Sequence, residues 1–231
     1  MKRVLVMLSL MALAGTAYAG DPPIESVEWE RANDSCELTV VTYDWDFSQG
    51  DQGFTHAVCE AGGIDDWAYG VPTNPEVPIN VAVWGTGLAG DYSNLSGSGL
   101  YAPAFMVSED AYLMEVSHWF DTENNFDGCN VSVNGEVIQP YTVYPAVIST
   151  STYYYAYCVD NEPGWTDGPT ESLDCFDLSP WMGQTVEVEF AFGSDSSVSY
   201  PGWFIYYVKV GGQGGTPTES STWGSIKGLF Q

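Results

Sequence analysis

Basic residues are scarce in this sequence. Its 231 residues include five Lys or Arg against 31 Asp or Glu, and the formal net charge is -26. Binding to nucleic acid or anionic lipid needs a basic patch that replaces released counterions. Beyond the first three residues the basic side chains are Arg31, Lys209 and Lys227. Three scattered cations exclude such a patch, so cations, neutral glycans and protein surfaces remain as partners.

Histidine and the motifs of common catalytic sites are also sparse. The chain has two histidines, His56 and His118, and lacks the His-Glu-x-x-His pair of zinc peptidases. A Gly-x-Ser-x-Gly motif is absent as well. His56 and Cys59 have the spacing of zinc ligands, and paired carboxylates would suit an acidic extracellular hydrolase. Both alternatives stay open, but the sequence favours a protein that is not an enzyme.

Long apolar runs are missing beyond the N-terminus. Positively charged Lys2 and Arg3 precede a mostly apolar stretch over residues 4–13, and the small-x-small triplet 17–19 follows. This pattern predicts a signal peptide over residues 1–19, cleaved after Ala19. No later segment approaches the roughly 20 apolar residues of a membrane span. We therefore expect a secreted or cell-surface protein, exported through a cleaved signal peptide.

The cysteine count is odd. The five cysteines are Cys36, Cys59, Cys129, Cys158 and Cys175. An exported protein is expected to form disulfides, but five cysteines cannot all pair within one chain. Cys158 and Cys175 bracket a segment rich in Pro and Gly, and closing such a loop would contribute about 3 kcal/mol in the chain-entropy model. The sequence therefore predicts a disulfide between Cys158 and Cys175.

Alternation of apolar and polar residues dominates from residue 38 to residue 210. Within 185–192 the apolar side chains fall at every second position, which is typical of a half-exposed strand. Asn134-Gly135 between alternating apolar residues predicts a tight hairpin. Residues 203–210 are aromatic on both faces, which indicates a strand covered on both sides or carrying a binding surface. The prediction is an all-β protein of two packed antiparallel sheets.

Composition also divides the chain into segments. An N-terminal extension over 20–37 precedes a sandwich domain over 38–212, and a Gly-rich linker over 213–220 follows. Residues 221–231 place Trp223, Ile226 and Phe230 on one face of a short amphipathic helix. This tail either docks on the protein itself or serves as a sorting or anchoring signal.

Seven segments in order resemble the MAM-like jelly-roll domain that accompanies secreted bacterial peptidases of the immune inhibitor A type and many bacterial surface proteins. They are 67–72 (WAYGVP), 83–92 (VWGTGLAGDY), 100–103 (LYAP), 117–123 (SHWFDTE), 126–131 (FDGCNV), 176–179 (FDLS) with Gly183, and 201–205 (PGWFI). The resemblance implies a jelly-roll β-sandwich, an adhesive or accessory role and structural calcium. It covers the non-catalytic domain of such peptidases.

Two groups of acidic residues are candidate calcium ligands. Calcium takes six to eight oxygen ligands from carboxylates, amides and carbonyls. Asp121, Glu123 and Asp127 alternate through one loop, although the segment is not an EF-hand because its glycine and glutamate are misplaced. Asp44, Asp46 and Asp51 form the second group. Calcium in a structural role is the expected cofactor.

Aromatic residues make up 15% of the chain. Tyr153, Tyr155 and Tyr157 would set rings along one strand face, where they could stack on sugars. Trp165 stands in a turn-rich loop and is predicted to expose its ring as the main binding residue.

These patterns favour an exported, non-catalytic module that binds a glycan or protein at the cell surface and is stabilised by calcium. The alternative is a structural surface component assembled or anchored through its C-terminal tail.

Overall fold

The computed structural model describes residues 36–59, 61–149 and 156–214, and its strands run from Val40 to Gly212. The strands are β1 (Val40–Asp46), β2 (Thr55–Val58), β3 (Ala68–Gly70), β4 (Val83–Gly85), β5 (Gly97–Tyr101), β6 (Phe105–Met106), β7 (Leu113–Asp121), β8 (Gly128–Val133), β9 (Glu136–Val137), β10 (Ala146–Val147), β11 (Pro163–Gly164), β12 (Thr170–Asp177), β13 (Thr185–Val186), β14 (Val188–Gly193) and β15 (Gly202–Gly212). Two single-turn 3-10 helices span Phe47–Gln49 and Ser179–Trp181. None of the described residues form a helix that could cross a membrane.

Two antiparallel sheets form a jelly-roll β-sandwich, as predicted. One has six strands in the order β12-β7-β15-β4-β3, with β1 also paired to β15. The other has five strands in the order β2-β5-β14-β8-β9. Two short pairs, β6 with β13 and β10 with β11, complete the structure.

Alternation along the strands explains which side chains fill the space between the sheets. Val186, Val188, Phe190 and Phe192 are almost fully buried, whereas Glu187 is exposed, so the predicted half-exposed strand is confirmed. A single residue, Glu187, separates β13 from β14. The predicted hairpin is also confirmed, because Val133 pairs with Glu136 around Asn134 and Gly135. Both turn residues have positive φ (52° and 81°), which Asn and Gly tolerate.

The long aromatic strand β15 is covered on both faces in its first half, over residues 203–205. Trp203, Ile205 and Val208 belong to the core between the sheets. Phe204 points the other way and packs with Trp119, Val77 and Ile79 in a separate buried cluster on the outer side of the six-stranded sheet. Of the two interpretations of residues 203–210, coverage on both sides is confirmed for 203–205, whereas Tyr206, Tyr207 and Lys209 are half-buried beside a surface cavity.

The predicted disulfide between Cys158 and Cys175 is wrong. Cys36 pairs with Cys175 on β12, and Cys59 pairs with Cys158, with Cα–Cα distances of 5.4 and 6.0 Å. Cys175 lies on the edge strand of the six-stranded sheet, whereas the chain at Cys158 crosses the five-stranded sheet. Cys175 therefore lies within one sheet and Cys158 lies against the other, beside Gly97, so closeness in sequence did not make them partners. Cys129 is free and buried.

Candidate metal and ligand sites

Three carboxylates from two separate parts of the chain converge at one end of the sandwich. Glu123 and Asp127 lie in the loop between β7 and β8, and Asp195 follows the end of β14. One ligand oxygen from each residue lies within 4.8 Å of the other two. We call this group the carboxylate cluster. Within the described ranges it is the one group of three acidic, His or Cys residues with the spacing of a metal site.

Asp127 is the buried centre of the carboxylate cluster. Its Oδ2 accepts a hydrogen bond from the Tyr92 hydroxyl at 2.6 Å, and its Oδ1 accepts one from the Asp195 backbone N–H at 2.7 Å. Burial, together with the negative charges of Asp195 and Glu123, raises the pKa of Asp127 to about 7. The two hydrogen bonds act in the opposite direction and lower this pKa. The Asp195 N–H bond ties the end of β14 to the loop before β8.

Glu123 contributes an oxygen without a partner. Its Oε2 is inaccessible to solvent and accepts no hydrogen bond from the described residues. Burial, followed by the charge of Asp195, raises the pKa of the Glu123 carboxyl. A buried carboxylate oxygen without a donor costs free energy, and a cation removes that cost. Three carboxylates are the oxygen donors that calcium prefers, so the residues fit that ion.

The structure brings together two of the six predicted calcium ligands, Glu123 and Asp127. Asp121 is outside the carboxylate cluster. Asp195 was missed because it lies 68 residues beyond Asp127, and no local spacing links them. The short polar run 193–197 after a predicted strand was the available signal, since loops at strand ends gather at one edge of a sandwich.

The second predicted group does not converge. The Asp46 side chain accepts from the Ser48 N–H at the start of a 3-10 helix, and Asp51 accepts from the Gly53 N–H in a turn. Asp44 lies opposite Lys209 across β1 and β15. Asp44 and Asp46 line one surface cavity of about 260 Å³ that Lys209 also lines, and Asp51 is not among its lining residues. Asp46 and Asp51 thus have local structural roles, and Asp44 lies beside a cation.

The predicted exposure of Trp165 is wrong. Its side chain is 4% exposed and packs between the sheets, with its ring centre 4.4 Å from that of His118 and 4.7 Å from that of Tyr144. The Trp165 backbone also bridges to Cys129 on β8. The loop composition was interpreted correctly as a turn-rich connection, but that connection closes one edge of the core. Trp165 is therefore unavailable as a surface binding residue.

The tyrosine series is only partly covered by the structure. Tyr153 and Tyr155 lie outside the described residues. Tyr157 is half-buried on the outer face of the five-stranded sheet, where a Cβ on Gly97 would lie 2.4 Å from the Tyr157 Cβ. The chain at Tyr157 also passes so close to Gly193 that a Cβ there would lie 1.8 Å from the Tyr157 carbonyl oxygen. Glycines on the sheet thus let this segment cross it, beside the Cys59–Cys158 disulfide.

A histidine and its partners form a polar group inside the core. His118 Nε2 lies 2.9 Å from Asp174 Oδ2, and the Trp203 indole N–H donates to His118 Nδ1 at 2.9 Å. Because an indole N–H can only donate, Nδ1 accepts and Nε2 carries the proton that is shared with Asp174. Burial lowers the pKa of His118, although Asp174 opposes that shift. His118 is therefore a neutral ring that orients side chains within the core.

The zinc alternative at His56 and Cys59 is wrong. Cys59 is bonded to Cys158, and His56 Nδ1 lies 2.8 Å from Asp65 Oδ2. The other histidine and the free cysteine cannot complete such a site, because both are buried: His118 is paired with Asp174, and Cys129 faces the core. Thiolate chemistry at Cys129 is also disfavoured, since burial raises its pKa well above the usual value.

No family model matches the chain. Bacillopeptidase F of Bacillus subtilis (strain 168) is 29% identical over 151 residues, which are 63% of this chain and 9% of that protein. The chain therefore spans less than a tenth of the length of this relative. The structure of CBM35 from Paenibacillus barcinonensis aligns with 73% of this chain and 97% of its own, at 12% identity and a TM-score of 0.34.

Proposed function

We propose that this chain is an exported, non-catalytic β-sandwich module that binds a glycan or protein at the cell surface and that calcium stabilises it at the carboxylate cluster. The observation that carries the proposal is the buried Oε2 of Glu123, which accepts no hydrogen bond from the described residues. The Glu123 carboxylate also lies close to those of Asp127 and Asp195. A bound cation would tie the loop between β7 and β8 to the segment after β14. Calcium would therefore fix the loops at one end of the sandwich.

The placement of reactive side chains supports a binding role over hydrolysis. His118, Asp174 and Cys129 are each at most 1% exposed, and their hydrogen bonds hold core elements together. A hydrolase needs such groups in a cleft that substrate can enter. The aligned part of Bacillopeptidase F is 9% of that protein, which suits an accessory region as the shared part.

Two disulfides support export. Cys36–Cys175 and Cys59–Cys158 close long segments of the chain, with sequence separations of 139 and 99 residues. Disulfides of this kind persist in oxidising compartments and are rare in the cytosol. An extracellular module that meets millimolar calcium could use a site of modest affinity, such as extracellular modules have.

Thermal unfolding with calcium and with a chelator tests the calcium site. At a calcium concentration about 100-fold above Kd, binding adds about 2.7 kcal/mol to the free energy of unfolding. For a domain of this size that raises Tm by roughly 5–10 °C. The rise should disappear in Asp195→Asn and Glu123→Gln.

Asp44→Asn is the matched control, because it removes one carboxylate from the group that does not converge. It should keep the full calcium-dependent rise. A rise that survives Asp195→Asn but is lost in Asp44→Asn would move the ion to the other group. Equal Tm values of the unmodified protein in calcium and chelator would remove calcium from the proposal.

The binding role is tested with immobilised neutral, amino-bearing and uronic-acid oligosaccharides and with intact cell-wall preparations. We expect saturable binding to at least one of these. Failure on all of them would contradict the glycan form of the proposal and leave a protein partner.

A further inference from the structure

The five-stranded sheet carries an open groove on the face that points away from the core. Its volume is about 320 Å³, and it lies between the Cys59–Cys158 disulfide and the β8–β9 hairpin. We call it the outer groove. The lining residues that matter here are Asn130, Ser132, Glu162, Glu189 and Ala191. Its volume is at the lower end of the range of small-molecule sites.

Strand alternation aims polar groups into the outer groove. Ser132 pairs with Glu189, and Asn130 pairs with Ala191, so all four share one face of the sheet. Their neighbours Val131 and Phe190 are fully buried on the opposite face. The Asn130 amide donates to the Pro163 carbonyl at 3.1 Å, which fixes its orientation. The groove is therefore lined by polar groups of paired strands, of which Asn130 is 1% and Ser132 is 4% exposed.

The Glu189 carboxylate is held in one position. Its Oε1 accepts from the Tyr101 hydroxyl at 3.0 Å, and its Oε2 accepts from the Ser132 hydroxyl at 3.3 Å. A Cβ on Gly99 would lie 2.3 Å from Oε1, so the glycine lets the carboxylate lie across the sheet. Burial, followed by the Glu189 charge, raises the pKa of Tyr101 to about 12, so its hydroxyl stays protonated and donates. Each carboxylate oxygen has a second lone pair with which it can accept from another donor.

Among the described residues, the lining of the outer groove has carboxylates and no cation to balance them. Glu162 is a second carboxylate in its lining, which contains no Lys, Arg or His. In residues 36–59, 61–149 and 156–214, Lys209 is the one Lys or Arg, and it lies on β15 of the other sheet. An uncharged or positively charged ligand that donates hydrogen bonds suits this lining, whereas an acidic ligand would meet like charge.

We infer that the outer groove binds a glycan that lacks acidic groups, with Glu189 accepting hydrogen bonds from sugar hydroxyl or amino groups. Adjacent hydroxyls of a sugar can donate to both oxygens of a fixed carboxylate, and the Asn130 amide and Ser132 hydroxyl sit on the same face. This inference rests on the proposed glycan-binding function and adds its site and its charge selectivity.

Titration calorimetry with neutral, amino-bearing and uronic-acid oligosaccharides tests the inference. Glu189→Gln keeps the shape of the side chain and removes its charge, and we expect affinity for the neutral or amino sugars to fall at least about tenfold. Glu187→Gln is the matched control, since it makes the same charge change two residues away on an exposed side chain outside the groove. It should leave affinity within about twofold.

The outcomes separate the site from the function. If Glu189→Gln and Glu187→Gln bind the glycan equally strongly, the assignment of the site to the outer groove is overturned, but the glycan-binding function stands. Tighter binding of uronic-acid sugars than of neutral ones would overturn the charge selectivity. Lack of binding by the unmodified protein would contradict the glycan form of the proposed function and leave a protein partner. Glu162→Gln gives a second variant at an exposed residue, and thermal unfolding of each variant confirms that it is folded.

Discussion

The two histidines of this chain are each paired with an aspartate, but in opposite environments. His56 lies 2.8 Å from Asp65, and His118 lies 2.9 Å from Asp174. The side chains of the first pair are 37% and 24% exposed, whereas those of the second are 0% and 1% exposed. Since the distances are nearly equal, the surroundings decide what each pair contributes to the fold.

The buried pair is part of a network that joins several elements. Asp174 on β12 accepts from His118 on β7, and also from the hydroxyls of Ser172 and Thr142. Burial alone would raise the pKa of Asp174, but these three hydrogen bonds outweigh it and lower the pKa. On its other side, His118 accepts from Trp203 of β15. Removing His118 would leave the Trp203 indole N–H without its acceptor and the Asp174 carboxylate without one of its three donors.

The exposed pair, His56 and Asp65, depends less on its mutual contact. Asp65 also accepts from the Trp67 N–H at 3.2 Å, and the His56 ring packs near Trp84 with centres 5.4 Å apart. Water can replace either partner when the other is removed. The same two residue types thus form a core network in one place and a surface contact in another.

The largest expected effect is the loss of His118. His118→Ala leaves the Asp174 carboxylate and the Trp203 indole N–H buried without their shared partner and opens a cavity between the sheets. We expect the free energy of unfolding to fall by about 3–5 kcal/mol. Equilibrium denaturation by urea measures this, with His56→Ala as the matched control. Equal losses in the two variants would show that burial does not set the contribution of the pair.

Features of the fold that are encoded by neighbouring residues could be predicted from the sequence, whereas contacts between distant segments could not. The run 185–192 and the Asn134-Gly135 turn encode half-burial and a hairpin within a few residues, and both were predicted correctly. The partners of Cys175 and Cys158 lie 139 and 99 residues away in the chain, so only the packed sheets decide them. Trp165 shows the same limit, because its turn-rich loop gives no hint that the loop closes the core.

The candidate sites divide in the same way. Glu123 and Asp127 were predicted because one loop carries both, whereas Asp195 joins them through the end of another strand. The outer groove was not predicted, although the alternation within 185–192 places Glu189 on the polar face of its strand. The groove forms because the segment with Tyr157 and Cys158 passes over the five-stranded sheet. Strand alternation does not predict where that segment passes.

The next expected effect is on the pH dependence of stability. The lowered pKa of His118 means that the unfolded chain takes up a proton below about pH 6.5 while the folded protein does not. Stability is therefore complete above that pH and falls as pH decreases, by up to about 1.4 kcal/mol per pH unit. The lowered pKa of Asp174 adds a loss only below about pH 3.9.

Urea unfolding between pH 7 and pH 5 measures this slope in the unmodified protein and in His118→Gln. The raised pKa values of Asp121, Glu123 and Asp127 favour the folded state as pH falls, but these groups are present in both proteins and cancel in the difference. We expect His118→Gln to lose less stability over this range. His56→Gln is the control and should keep the slope of the unmodified protein. A flattened slope in His56→Gln and not in His118→Gln would contradict the assignment of the pH dependence to His118.

The smallest expected effect is the coupling within the exposed pair. A double-mutant cycle with His56→Ala and Asp65→Asn should give a coupling energy below about 1 kcal/mol, because the half-exposed partners exchange their mutual hydrogen bond for bonds to water. The same cycle with His118→Ala and Asp174→Asn should give a larger value, since neither buried partner can reach water. Denaturation midpoints of the four proteins in each cycle measure both energies at constant pH and salt. Equal coupling in the two cycles would mean that the 2.8–2.9 Å contact itself, which both pairs share, sets the energy. A larger buried value would assign the difference to the surroundings of the buried pair, which exclude water and add hydrogen bonds from Trp203, Ser172 and Thr142.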